Sequence, residues 1–87
     1  MPEISRFHGI KIRMHFGTQE HPPPHFHARS STGRALVSLD GTVLEGSMPT
    51  KELNLLRRWV ELHRSELELN WERCNRNESP FKIEPLR

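Results

Sequence analysis

The fold class predicted is α+β: a small two-layer domain in which a mostly antiparallel sheet of about four strands is covered by one long C-terminal helix. Three observations predict it. Apolar residues alternate with period two through the first half of the chain and recur every three to four residues through the second. Asp40-Gly41 separates two apolar stretches, a strong short-range hairpin signal. A chain of 87 residues with 33% apolar content suits a thin sheet-and-helix sandwich with a single core.

The elements follow in order. From Ile10 the alternation is strict, with Ile10, Ile12, Met14 and Phe16 on one face and Lys11, Arg13 and His15 on the other, which describes a half-buried strand. Gly17 to Pro24 reads as a loop. A second strand is expected over about His25–Arg29, then a Ser-Ser-Thr-Gly turn at 30–33. Ala35, Val37 and Leu39 alternate with Arg34, Leu36 and Ser38 up to Asp40-Gly41. Thr42–Glu45 is the return strand, ended by Gly46.

Beyond that point Leu53, Leu56, Val60, His63, Leu67 and Trp71 form one face of a helix, and Leu55, Trp59, Leu62 and Leu69 widen the stripe. Ser47, Pro49 and Thr50 supply start signals, and Asn75, Asn77 and Pro80 the stop. Phe81, Ile83 and Leu86 alternate with polar residues, so the tail is expected to dock as a short strand or extended strip. The whole is one domain, 1–87, with strands within 4–46, a helix over about 49–75 and an extended tail over 78–87.

Thirteen Lys and Arg against eleven Asp and Glu give a charge of +2. That permits nucleic-acid binding without the dense basic footprint that argues for it. The lone Cys74 excludes an internal disulfide and a Cys-type zinc finger, and fits a reducing compartment. No apolar run is long enough to span a membrane and no signal-peptide core is present, so a soluble, cytoplasmic chain is expected.

The segment His21-Pro22-Pro23-Pro24-His25-Phe26-His27 holds three of the six histidines. The prolines favour extended, polyproline-like backbone, and strand alternation sends the His25 and His27 imidazoles to one face with Phe26 on the other. Three chemistries compete for these residues. His25 and His27 can share the base and acid roles of metal-independent RNA cleavage, with Lys11, Arg13, Arg29 and Arg34 holding phosphate and His21, His15 and Arg13 around the pair. Alternatively, His21, His25 and His27 can bind Zn²⁺ or another transition metal. In polyproline geometry His21 stands roughly 12 Å from His25, so a shared ion needs a turn or a cis-Pro, or ligands from His8, His15, Glu20 or a second subunit.

The structural alternative has His25 and His27 hydrogen-bonded to backbone or to Glu45, and Arg13 paired with Glu20 or Asp40. The prolines would then guard an edge strand, and that edge could accept a partner chain by strand addition.

Other residues read as structural. His63 fits a hydrogen-bonded semi-core position, Trp59 and Trp71 packing, and the alternating charges from Arg57 to Arg73 a solvated helix face. The sequence makes no case for nucleophilic chemistry at Cys74. No Gly-rich phosphate loop, His-Glu-x-x-His or Ser-His-Asp order is present.

Five segments carry a family resemblance: Pro-Glu-Ile-Ser-Arg-Phe-His-Gly-Ile-Lys-Ile-Arg-Met at the start, His-Pro-Pro-Pro-His-Phe-His, Leu-Glu-Gly-Ser-Met-Pro, Trp-Val-Glu-Leu-His-Arg and Lys-Ile-Glu-Pro-Leu. Together they resemble DUF4160, a prokaryotic domain of unknown function. Gly17-Thr18-Gln19-Glu20 departs from the shorter, Asp- or Asn-containing turn of relatives. The resemblance implies a component of a toxin–antitoxin-like two-gene module, with a small DUF2442-like partner protein encoded nearby. It brings no catalytic residues. RNA and a second copy of the chain, as a homodimer, are the other partners expected.

Overall fold

Period-two alternation builds most of the sheet. The computed structural model describes residues 3–15 and 22–87. In chain order it has β1 (Glu3–Phe7), β2 (Ile10–Arg13), β3 (His25–Ser30), β4 (Gly33–Ser38), β5 (Val43–Ser47) and α1 (Thr50–Asn75). The strands pair antiparallel in sequence order, β1-β2-β3-β4-β5. This is the expected α+β architecture with one strand more than the four anticipated. The added hairpin turns at His8-Gly9, where φ is +48° and +78°. Two positive φ values match the twist of a two-residue hairpin, and glycine adopts one without strain. Histidine at the other position carries no turn signal, which hid the boundary between β1 and β2.

The central position of β3 corrects another expectation. The histidine strand pairs on both sides, Ile12 with Ala28 and Phe26 with Val37, so it is no edge strand and its prolines guard none. The outer strands are β1 and β5.

One face of the sheet is buried under α1. Ile10, Ile12, Met14, Phe26, Ala28, Ala35 and Val37 meet Leu56, Trp59, Val60 and Leu67 in one core. Trp59 is its hub, with ring centroids 5.3 Å from Phe7 and 5.8 Å from Phe26. The predicted stripe holds at Leu56, Val60, Leu67 and Trp71. The flanking line splits: Trp59 is buried, whereas Leu62 and Leu69 are 68% and 45% exposed. At 100° per residue those two leucines fall on the solvent side of the buried arc. His63 leaves helical geometry, at φ −124° and ψ 24°. Its Nδ1 lies 2.6 Å from Glu66 Oε1 and its ring centroid 5.8 Å from that of Trp59.

The start of α1 is bounded by Pro49, and no side chain caps it, contrary to the hydroxyl cap expected. Glu52 in the first turn instead accepts hydrogen bonds from Ser30 and Thr32, tying the β3–β4 turn to the helix. The end is a Schellman closure. Asn77, at φ +61°, donates to Cys74 O, and Glu78 donates to Arg73 O. The tail then runs extended along β1, with Ile83 N–H donating to Ile4 O at 2.7 Å. Asn70 is 1% exposed and bonds both backbone groups of Phe81, while Trp59 Nε1 donates to Glu84 O at 2.8 Å. Among the described residues, no helix is long and apolar enough to cross a membrane.

Candidate functional site

The other face of the sheet carries the charge. Directly opposed residues of antiparallel strands share a face, so register alone sorts the polar side chains into rows. Arg6, Lys11, Arg29, Arg34 and Ser47 form one row across all five strands. Glu3, Arg13, His27, Leu36 and Glu45 form the next. A concavity of about 440 Å³ lies over the middle of these rows, lined by Lys11, Arg13, His15, His27, Arg29, Arg34, Leu36 and Glu45 among others. All four cations expected to hold phosphate therefore meet on one surface.

At the β1 side the charge is neutralised. Arg6 Nη2 lies 2.8 Å from Glu3 Oε1, and that hydrogen bond holds the Glu3 carboxyl below its ordinary pKa. Lys11, Arg13, Arg29 and Arg34 make no ion pair among the described residues; Arg13 in particular does not reach Asp40. Asp40 is held instead by Ser38 and Thr42, whose hydrogen bonds lower its pKa to about 2.

The two histidines of the strand part company. His27 is half-buried on the open face, where its ring stacks on that of His15 with centroids 3.9 Å apart and planes 3° from parallel. His25, the first residue of β3, is 6% exposed. Its Nδ1–H donates to Pro23 O at 2.8 Å, which fixes the tautomer, and its ring lies 5.0 Å from Trp71 of the helix. The two imidazoles remain 5.7 Å apart, edge to face. His25 thus has the backbone partner that the structural alternative anticipated, while His27 with His15 faces the concavity. The His15–His27 pairing was not legible, since it depends on how β2 and β3 align.

His21 and Glu20 lie outside the described residues, and among the described residues no group of three or more His, Cys, Asp or Glu is placed to hold an ion. The peptide bond between Pro22 and Pro23 is cis, so the segment is not a uniform polyproline helix.

Two residues not expected as site residues join the face, although alternation sets Leu36 on the side of Arg34 and Glu45 is an expected partner for the strand histidines. Leu36 lies opposite His27 on β4, and Glu45 opposite Leu36 on β5. Past Glu45 the register slips: Val37 pairs with Val43, leaving Leu44 as an extra residue. This bulge reverses the facing of β5, so Val43 packs on the core while Glu45 turns to the open face. Gly46, at φ +80°, makes it feasible, because a Cβ there would stand 2.4 Å from Arg34 O. The glycine after a strand-like run was the one available signal.

A family model described as a domain of unknown function (DUF4160) matches residues 9–72, which include every described residue lining the concavity. Neither curated proteins nor solved structures gave a match.

Proposed function

The chain belongs to the DUF4160 family, and we propose that it is the RNA-handling component of a prokaryotic, cytoplasmic toxin–antitoxin-like module, taking RNA phosphates on the open face of its sheet. The observation that carries this reading is the row Lys11–Arg29–Arg34, three cations directly opposite one another on adjacent strands. Like charges so placed destabilise a sheet. An RNA backbone offsets that repulsion, and phosphate contacts position a strand without reading its sequence. A small DUF2442-like protein is the expected partner, covering or releasing the same face.

Cleavage is a second reading, favoured by the His15–His27 stack beside the cations. A ribose 2′-OH could attack the adjacent phosphorus, one imidazole accepting its proton and the other protonating the departing 5′-oxygen. His25, held by Pro23 and Trp71, would support the loop beneath this pair.

The test is fluorescence anisotropy with a labelled uridine octamer between 50 and 200 mM salt. With three phosphates neutralised, the slope of log K against log salt is expected near −2, at about −0.7 per contact. Arg29→Ala should weaken binding and flatten the slope by roughly 0.7. An absence of binding at the lowest salt sinks the proposal. Growth arrest on induced expression, lost in His27→Ala at equal soluble level, would select cleavage over binding.

A further inference from the structure

We infer that Glu45 reads the base of the bound nucleotide and selects guanine. The inference rests on the RNA reading above and deepens it. Among the described residues that line the concavity Glu45 is the one carboxylate, set against Lys11, Arg13, Arg29 and Arg34. A site that only gathered phosphate would be weakened by it. Nor does Glu45 serve as a counterion, since no ion pair joins it to Arg13 or Arg34 among the described residues.

Its position is built rather than incidental. Glu45 shares the open face with Ser47 by regular pairing to Leu36 and Arg34, and the extra residue Leu44 lets β5 keep it there while Val43 packs on the core; Gly46 permits the close backbone approach to Arg34 between them.

The lattice of the sheet supplies the spacing. Same-face rows are two residues apart, roughly 7 Å, and strands are about 4.8 Å apart. A phosphate on the Arg29–Arg34 row leaves its base within reach of the His27–Leu36 row, where a base lying across β4 presents one edge to Glu45 on the next strand. Leu36 and the His27 ring offer an apolar and aromatic floor, the surface on which unpaired bases stack. At the edge, a carboxylate only accepts hydrogen bonds. Guanine presents two adjacent donors, N1–H and N2–H, which match its two oxygens. Cytosine and adenine set an acceptor beside their single amino group, and uracil flanks its one N–H with two carbonyls, so each turns a lone pair toward the carboxylate.

The experiment uses four RNA octamers, all uridine or with guanosine, adenosine or cytidine at the fourth position, titrated into the intact protein by anisotropy. Wild type is expected to bind the guanosine octamer roughly tenfold more tightly than the other three. Glu45→Gln should bind all four within roughly twofold of one another. Equal binding of the four by wild type overturns the inference and leaves the RNA reading standing. A guanosine preference that survives Glu45→Gln overturns the assignment to this residue. Binding of none overturns both.

Discussion

Arg29 and Arg34 stand directly opposite each other across β3 and β4, with Lys11 opposite Arg29 on the far side. Such a row costs stability in the isolated protein, a cost that the proposed RNA ligand would offset. Arg34→Glu should therefore raise stability by roughly 0.2–1 kcal/mol, replacing repulsion with a cross-strand pair, and weaken RNA binding. Urea unfolding and anisotropy on the same preparation check the two halves. A variant that loses stability, or binds RNA as well as wild type, contradicts the role given to the row.

The two strand histidines should separate by stability. His25→Ala removes a buried ring and its bond to Pro23, and about 2 kcal/mol of destabilisation is expected. His27→Ala, which removes a half-buried ring stacked on His15, should cost less, about 1 kcal/mol. Thermal or urea denaturation of the two single variants decides it, and equal losses would refute the division between a supporting and a surface-facing histidine.

Asn70 is the polar hinge between helix and tail. Its amide satisfies both backbone groups of Phe81 while itself being buried. Asn70→Ala should cost about 2–3 kcal/mol and raise amide exchange at Phe81 and Ile83. Exchange confined to the rest of the chain would show that the tail is held by other means.

Acid should weaken the β4–β5 hairpin. The Asp40 pKa is lowered from 3.8 to about 2 by Ser38 and Thr42. A carboxylate depressed in the folded state contributes stability that is fully present above its unfolded pKa and is lost as pH falls through the folded one. Stability should thus decline from about pH 4 toward pH 2, and Asp40→Asn should flatten that part of the profile. Urea midpoints measured at successive pH values test this.

Gly46→Ala should disrupt the bulge rather than merely loosen it, since its Cβ would meet Arg34 O at 2.4 Å in a backbone conformation that alanine resists. Destabilisation above about 1 kcal/mol is expected, together with altered amide shifts at Leu36 and Glu45 in NMR spectra. Unchanged shifts would mean that the strand tolerates the side chain in place.

What the sequence made legible was whatever depends on near neighbours. The helix was anticipated at about 49–75 and runs Thr50–Asn75 because its apolar spacing, Pro49 and Asn77 are local signals. The Asp40-Gly41 turn was visible for the same reason, with Gly41 at φ +90°. Pairing was not legible. Nothing in His25-Phe26-His27 says that Trp71 will cover one imidazole and His15 the other, or that β3 will lie in the middle of the sheet. The four cations were identified by type and by strand, but their alignment is a property of register, and register follows from packing of the opposite face. The outward turn of Glu45 lay deeper still, because the bulge breaks the alternation from which its facing would be inferred.

The strictly sequential order of the strands bears on how the chain reaches this form. Each strand meets the one next to it in the chain, as in Ser30 with Gly33 across the β3–β4 turn, so much of the sheet can zip up through small loop closures. Chains dominated by such short-range contacts fold quickly for their size. The exceptions are the docking of α1 on the sheet and the contact between Ile83 and Ile4, which ties the extended strip after the helix to β1. The sheet should therefore form first, and residues 78–87 should close over β1 only after α1 has docked.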